Sequence, residues 1–381
     1  MIPLSLPNLN GREWEYVKEC LDTGWISTAG SFVDRFEDEF SNYLGVDGAV
    51  SVVNGTSALH ISLQLLGVEN RDLVIMPNVT FVASANAISY LGADPIFIDI
   101  DKNSWQMDLD LLESFLSTKC KLDKLKTLVH IETSRKISAL MIVHVQGNIC
   151  NMDRLLAICN DYNLPVLEDA AEALGSKYKG RHVGTLGDIG CFSFNGNKIM
   201  STGGGGMIVS QNSEQLKRAK HLTTTAKKNP FTYYHDEVGY NYRLVNVLAA
   251  IGVAQLEQLD TFRASKLNTA QYYRDNLNGV GDIGFQLSID GVESNEWLFT
   301  ITTSRMQELL DYLNSNGVMS RPFWIPMNQL PMYSDKLYIN INDVSARIHS
   351  TALSIPCSSN ISNSDLDKVA RTIIDFFIVD N

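Results

Sequence analysis

Short apolar runs alternate with amphipathic segments between residues 46 and 210, and this alternation constrains the fold more than any other feature. VDGAVSVV, LVIMP, DPIFIDI, ALMIVHV and LPVLEDA are each typical of a buried strand, while TSALHISLQLLG and NMDRLLAICNDYN are typical of helices. Strands that alternate with helices at this spacing predict an α/β fold, with a mostly parallel sheet and helices on both faces.

Two further strand candidates, GCFSF and GMIVS, lie too close together for a crossover helix. A direct return of this kind predicts one antiparallel strand pair in the sheet. After residue 246 the sequence changes to one or two long helices, followed by the shorter patterns of a small α+β domain. We therefore predict a large domain over residues 1–246, and connecting helices with a small domain over residues 247–381.

Charge and motifs argue against several classes of function. Lys and Arg total 31 and Asp and Glu total 43, and the net charge of −12 is unfavourable for binding nucleic acid or an anionic membrane. The cysteines form no CxxC pair, the histidines show no metal-ligand spacing, and GVGDIG at 279–284 follows a helix, which predicts a turn. With neither a signal peptide nor a membrane-spanning run in the sequence, we expect a cytoplasmic protein without a metal.

The segment VNGTSALH at 53–60 predicts a strand that leads through Gly55, Thr56 and Ser57 into a helix. Backbone N–H groups and two hydroxyls at such a helix start are suited to binding an anion. Ordinary helix caps use the same residue types, so both interpretations stay open at this point.

Two other stretches supply groups for chemistry. LPVLEDAAEALG places Glu168 and Asp169 at the carboxyl end of a predicted strand, where open α/β sheets bind ligands, although an acid there can also simply cap a helix. In FSFNGNKIMSTGGGG, Lys198 lies between two predicted core strands and beside four glycines. In a cleft that excludes water its amine would be a nucleophile toward carbonyls, whereas on a solvated loop it would be an ordinary surface lysine.

Together these stretches contain the parts that one cofactor requires. Pyridoxal phosphate needs a site for its phosphate, a carboxylate beside its ring nitrogen and an amine for its aldehyde. Thr56 with Ser57, Asp169 and Lys198 are the candidates for these three roles.

The chain resembles the DegT/DnrJ sugar-nucleotide aminotransferases, a family of the fold type I, aspartate-aminotransferase-like superfamily. The likeness extends over nearly the whole chain, in the blocks GWISTAGSFVDRFEDEF, VNGTSALH, MPNVTFVASANAISYLGADPIFIDID, LEDAAEALGS, CFSFNGNK, GGGGMIV, GYNYRLVNVLAAIGVAQLE and RPFWIPMNQLPMY. It implies a mostly parallel seven-stranded sheet, pyridoxal 5'-phosphate as the cofactor, and a homodimer with shared active sites.

The resemblance also implies roles for single residues. Lys198 would form the Schiff base with the cofactor and move the proton between the substrate carbon and the cofactor carbon, and Asp169 would pair with the pyridinium nitrogen. Further cofactor contacts are implied for Gly55, Thr56, Ser57, Phe81, Glu172, Ser193, Asn195 and, from the second subunit, Asn241. The candidates for binding the substrate are Trp25, Ser27, Arg181, Tyr240, Arg243 and Arg321, with Lys227 and Lys228 as further cations. Many relatives have Gln where this chain has Glu172, and a glutamate near the phenolic oxygen of the cofactor alters the electrostatics there.

The activity that the resemblance implies is a two-step exchange. Glutamate gives up its amino group and leaves as 2-oxoglutarate, and the amine then passes to a nucleotide-linked keto sugar for surface glycan (lipopolysaccharide O-antigen) or nonulosonic acid synthesis. The FSFNGNK form resembles the subgroup that aminates carbon 4 of 4-keto-6-deoxy sugars such as UDP-4-keto-6-deoxy-N-acetylhexosamine.

Three alternatives stay open: amination at carbon 3, dehydration or isomerisation of the sugar with the same cofactor, and a non-catalytic binding or regulatory protein of this fold. Lys198 favours transamination, because relatives that dehydrate the sugar have histidine at that position.

Overall fold

The computed structural model describes residues 1–229 and 231–378. The helices in them are α1 (Glu13–Thr23), α2 (Ser31–Leu44), α3 (Gly55–Leu65), α4 (Ala83–Tyr90), α5 (Leu109–Lys119), α6 (Met152–Asp161), α7 (Ser213–Thr223), α8 (Asn246–Leu256), α9 (Leu259–Leu277), α10 (Met306–Ser315), α11 (Val344–Thr351) and α12 (Asn363–Ile378). The strands are β1 (Ala49–Val52), β2 (Leu73–Pro77), β3 (Asp94–Ile98), β4 (Cys120–Leu122), β5 (Leu128–His130), β6 (Ile137–Val143), β7 (Val166–Asp169), β8 (Lys177–Tyr178), β9 (Arg181–His182), β10 (Ile189–Ser193), β11 (Gly206–Val209), β12 (Gly284–Phe285), β13 (Val292–Glu293), β14 (Phe299–Thr302), β15 (Arg321–Pro322), β16 (Tyr338–Ile339) and β17 (Ala352–Ile355).

A large sheet in the order β1-β11-β10-β7-β6-β2-β3-β16 forms the centre of the structure. Seven of its strands are those that the sequence predicts, and the α/β architecture is confirmed. The two-residue strand β16 adds an eighth member at one edge, parallel to β3. The predicted antiparallel pairing of GCFSF with GMIVS is confirmed in β10 and β11. A second antiparallel pair was not predicted, because β11 lies between β10 and β1 and runs opposite to both.

Both faces of the large sheet are buried, which follows from the alternation of side chains along each strand. On β6, Leu140 and Ile142 belong to one hydrophobic cluster, while Ala139 and Met141 belong to another on the opposite face. Because both faces carry apolar residues, helices must cover both, and α2 and α3 are among the helices that do so.

The C-terminal part contains a smaller antiparallel sheet in the order β12-β14-β17-β15. Helix α9 ends at Leu277 and β12 begins at Gly284, so GVGDIG forms the predicted turn. The N-terminal residues run beside this part, since the N–H of Cys357 donates to the carbonyl of Leu4 at 2.9 Å. Among the described residues, none of the helices combines the length and the apolar character that a bilayer crossing requires.

Aromatic rings join α2 to the large sheet, and one of them gives a test of this packing. Phe40 is fully buried, with ring centres 5.1 Å from Phe192 and 5.5 Å from Phe194. We expect Phe40→Ala to lower the free energy of unfolding by about 3–5 kcal/mol, because the substitution leaves a cavity between the helix and the strand. Urea denaturation measures the change, with Leu125→Ala at an 85% exposed position as the control. A loss no larger than in that control would contradict the packing.

Candidate active site

A cavity of about 510 Å³ opens where the central strands end. Its lining comes from both sheets, with Asp169 and Ser193 at the carboxyl ends of β7 and β10, and Arg321 and Ser354 from the smaller sheet. Nine of the predicted site residues line it: Gly55, Thr56, Phe81, Asp169, Glu172, Ser193, Asn195, Lys198 and Arg321.

The start of helix α3 forms one wall of the cavity. The side-chain oxygen of Asn54 accepts a hydrogen bond from the N–H of Ser57 at 2.8 Å and caps the helix. A Cβ atom at Gly55 would lie 2.8 Å from the Cβ of Ser193, so only glycine lets the helix approach the end of β10 so closely. The first N–H groups of a helix have no partner within the helix. Helix cap and anion site are therefore compatible here, with Asn54 as the cap and Thr56 and Ser193 beside the N–H groups.

Asp169 presents a buried carboxylate to the cavity. Its two oxygens accept hydrogen bonds from the hydroxyl of Ser84 at 2.7 Å and from the N–H of Ala171 at 3.1 Å. Burial raises the pKa of Asp169, against the effect of these two hydrogen bonds. The neighbouring Glu168 points to the other side of the strand and bonds the ring of His144 at 2.9 Å.

Lys198 lies in the cavity and is not a solvated loop lysine, because its side chain is only 11% exposed. Its Nζ is 3.6 Å from Oε1 of Glu172 and 4.1 Å from the centre of the Trp297 ring. Oε2 of Glu172 accepts a hydrogen bond from the N–H of Gln146 at 2.8 Å. Burial raises the pKa of Glu172 to about 7, although the nearby charge of Lys198 acts in the opposite direction.

Seven predicted residues are not part of this cavity as the described residues of one chain form it: Trp25, Ser27, Ser57, Arg181, Tyr240, Asn241 and Arg243. Trp25, Ser27 and Asn241 are exposed at the surface. Arg181 is also exposed and donates a hydrogen bond to the carbonyl of Thr185. Tyr240 packs against the ring of His60, with the centres 5.0 Å apart.

Lys227 and Lys228 also lie outside the cavity of this chain, over the rings of Tyr233 and Tyr234.

Several lining residues were not predicted from the sequence, among them Thr80, Ser84, Gln146, Trp297 and Trp324. Thr80 and Ser84 carried a signal, because they flank Phe81 in a block that was already assigned to the site. Trp297 carried none, since EWLFTITTS is typical of a core strand.

The sequence model of the DegT/DnrJ/EryC1/StrS aminotransferase family matches residues 7–374. The chain belongs to this family. It is 38% identical over 379 residues to the GDP-perosamine synthase of Escherichia coli O157:H7, covering 99% of this chain and 98% of that protein. It is 31% identical to the UDP-4-amino-4,6-dideoxy-N-acetyl-beta-L-altrosamine transaminase of Campylobacter jejuni, covering 98% of this chain and 96% of that protein.

Among solved structures, a DegT DnrJ EryC1 StrS aminotransferase from Brucella abortus superposes with a TM-score of 0.88 at 25% identity, covering 96% of this chain and 95% of that one. The matches confirm fold type I, the enzyme class of a sugar aminotransferase and pyridoxal phosphate as its cofactor. They argue against the alternative of a non-catalytic binding protein.

The raised pKa of Glu172 predicts how stability depends on pH in the cofactor-free enzyme. Folded Glu172 keeps its proton up to about pH 7, whereas the unfolded chain releases it near its ordinary pKa of 4.5. This residue therefore adds to the free energy of unfolding at pH values below 4.5, and its contribution is lost as the pH rises from there through about 7. The loss is about 3 kcal/mol at most. Glu172→Gln should become more stable relative to the wild type as the pH rises from about 5 to about 8. Urea denaturation across this range tests the prediction, which parallel curves would contradict.

Proposed function

We propose that this enzyme moves the amino group of glutamate to carbon 4 of a nucleotide-linked 4-keto-6-deoxyhexose. The observation that carries the proposal is the position of Lys198, whose amine lies in a cavity between the carboxylate of Glu172 and the ring of Trp297. A largely desolvated amine of this kind is suited to condense with a carbonyl group.

The cavity has groups that fit each part of pyridoxal phosphate. The cofactor, when bound, supplies an aldehyde that condenses with amines and a ring that withdraws electrons from the substrate carbon. Thr56, Ser193 and the N–H groups at the start of α3 hold its phosphate. Asp169 holds its ring nitrogen, and a positive charge there stabilises a carboxylate whose pKa burial has raised. Phe81 is the residue we assign to stacking on the ring.

The remaining groups of the cavity orient and move protons. Ser84 bonds Asp169 at 2.7 Å and Thr80 at 3.0 Å, so it fixes the direction in which the carboxylate points. Lys198 carries a proton on Nζ and transfers it between the two carbons that exchange the amine. Trp297 lies over Nζ and keeps water away from it, and its indole N–H is bonded to the carbonyl of Asn197 at 2.7 Å.

Arg321 and the names of the relatives bear on the substrate. Arg321 is an exposed cation that lines the cavity, and we assign it to an anionic group of the glutamate or of the sugar nucleotide.

The names of the relatives support carbon 4 over carbon 3. Perosamine is a 4-amino sugar, and the Campylobacter jejuni relative is named for a 4-amino sugar as well. We place a GDP-linked sugar first because the Escherichia coli relative is the more similar of the two, and the UDP-linked N-acetyl sugar second. We expect the enzyme to act in the cytoplasm.

A homodimer is part of the proposal, because the segment that holds Asn241 projects apolar rings into solvent. Phe231 is 92% exposed and Tyr233 is 94% exposed, and Asn241 itself is exposed and lies outside the cavity of its own chain. We propose that a second copy buries these rings and receives Asn241 at its own cavity, together with the neighbouring Lys227 and Lys228.

Reduction with borohydride tests the role of Lys198. We expect mass spectrometry of the reduced holoenzyme to find the cofactor on Lys198, because reduction turns the carbon–nitrogen double bond into a stable single bond. Lys266, a buried lysine bonded to the carbonyl of Trp297 at 2.8 Å, is the internal control and should stay unmodified. An adduct on any other lysine, or on none, would end the proposal.

A panel of sugar nucleotides tests the reaction and its position. We expect glutamate to convert the yellow holoenzyme to the colourless amine form of the cofactor, which a dehydratase would not do. GDP- and UDP-linked 4-keto-6-deoxy sugars should then restore the colour and yield 4-amino sugars, whereas 3-keto sugars should not. Product analysis by NMR decides between carbon 3 and carbon 4. Restored colour with amino acids only would contradict the substrate class.

A further inference from the structure

Glu172 is a second acid in the cavity, and the proposed function gives it no part in the reaction. The residue is 5% exposed and lies three positions after Asp169, which is the last residue of β7. Its two oxygens have different neighbours, since Oε2 accepts the N–H of Gln146 while Oε1 faces Nζ of Lys198 at 3.6 Å. The charged groups that act on it are Lys198 and Asp169.

The two acids of the cavity differ in their capacity to take up a proton. Both oxygens of Asp169 accept hydrogen bonds, from Ser84 and from Ala171. The Oε1 atom of Glu172 faces the amine directly, so it is the carboxylate oxygen better placed to receive a proton from Lys198. A distance of 3.6 Å exceeds a hydrogen bond, but contacts of this kind tighten when the reacting group binds.

We infer that Glu172 is a positioning residue that takes a proton from the ammonium of Lys198 and so prepares the amine for attack. An N–H bond of Nζ breaks, an O–H bond forms at Oε1, and the electron pair of the broken bond stays on Nζ as the lone pair that attacks. The inference rests on the proposed function in one respect only, the assignment of Lys198 as the residue that bonds the cofactor.

Two further observations support this role. Burial raises the pKa of Glu172 to about 7, and a proton acceptor works best when its pKa lies near the working pH. The amide of a glutamine has the same shape, but it cannot accept the proton at any ordinary pH. The carboxyl group therefore gives this chain a proton acceptor that glutamine would lack.

A purely electrostatic role of Glu172 makes the opposite prediction. A carboxylate beside an ammonium group stabilises the charged form of the lysine, which does not attack carbonyls. If Glu172 acted only in this way, its replacement by glutamine would increase the fraction of neutral amine and speed up the attack. The sign of the effect thus separates the two roles.

The test measures how fast the cofactor-free enzyme captures added pyridoxal phosphate, followed by visible absorbance from about pH 5.5 to about pH 9. The wild type should capture it faster as the pH rises through about 7, where Glu172 loses its proton. Glu172→Gln should lose this step and be at least about tenfold slower at about pH 8. Glu172→Asp should still capture the cofactor faster as the pH rises, because it retains an ionisable carboxyl group.

The matched control is Glu37→Gln, which removes a carboxylate that pairs with Lys220 outside the cavity. It should leave both the rate and its pH dependence unchanged. A Glu172→Gln variant that captures the cofactor as fast as the wild type or faster, or one that keeps the increase in rate near pH 7, would overturn the inference. Borohydride reduction of the wild type separates the two failures, because an adduct away from Lys198 would refute the proposed function instead.

Discussion

The buried carboxylate of Glu168 fixes the geometry on which the site depends. It is 0% exposed, and it accepts hydrogen bonds from His144 at 2.9 Å and from the N–H groups of Gly184, Leu186 and Gly187 at 2.8, 2.6 and 2.6 Å. Burial by itself raises the pKa of Glu168, but these donors outweigh it and hold the pKa below its ordinary value. Because successive side chains of a strand point to opposite faces, securing Glu168 on one face directs Asp169 to the other.

The loop that supplies these N–H donors, residues 184–187, requires a glycine at position 184. Gly184 has a φ of +83°, and a Cβ atom there would lie 2.4 Å from Cζ of Phe192. The backbone of this loop thus passes close to β10. Strand β10 pairs in parallel with β7, and Cys191 lies opposite Asp169 in this pair. Ser193 at the end of β10 and Asp169 at the end of β7 therefore reach the same edge of the sheet. Local backbone geometry on one side of the sheet positions the groups of the cavity on the other.

The sequence predicts those parts of the structure that depend on local pattern. The strands of the large sheet follow from short apolar runs, the start of α3 from Asn54 and Gly55, and the position of Asp169 from its place at the end of a strand. Contacts between distant parts of the chain were not predictable in this way. The short strand β16 pairs with β3 across about 240 residues of sequence, and Trp297 reaches Lys198 from the segment just before β14. Trp25 and Arg181, two of the substrate candidates, do not line the cavity that the described residues of one chain form.

The charges of the cavity explain how it can hold two acids beside one amine. Two buried carboxylates are costly to ionise together, and the charge of Asp169 raises the pKa of Glu172. In the proposed holoenzyme, the positive ring nitrogen of the cofactor would compensate Asp169. Lys198 would then be the counter-charge of Glu172, 3.6 Å away. Once the amine of Lys198 becomes neutral, Glu172 loses the cation that faces its Oε1 atom, and burial then favours its protonated form. The inferred proton transfer would therefore end at a stable position inside the cavity, on a carboxylate oxygen 3.6 Å from Nζ. In a chain with a net charge of −12, such local pairing decides which acids of the site are charged.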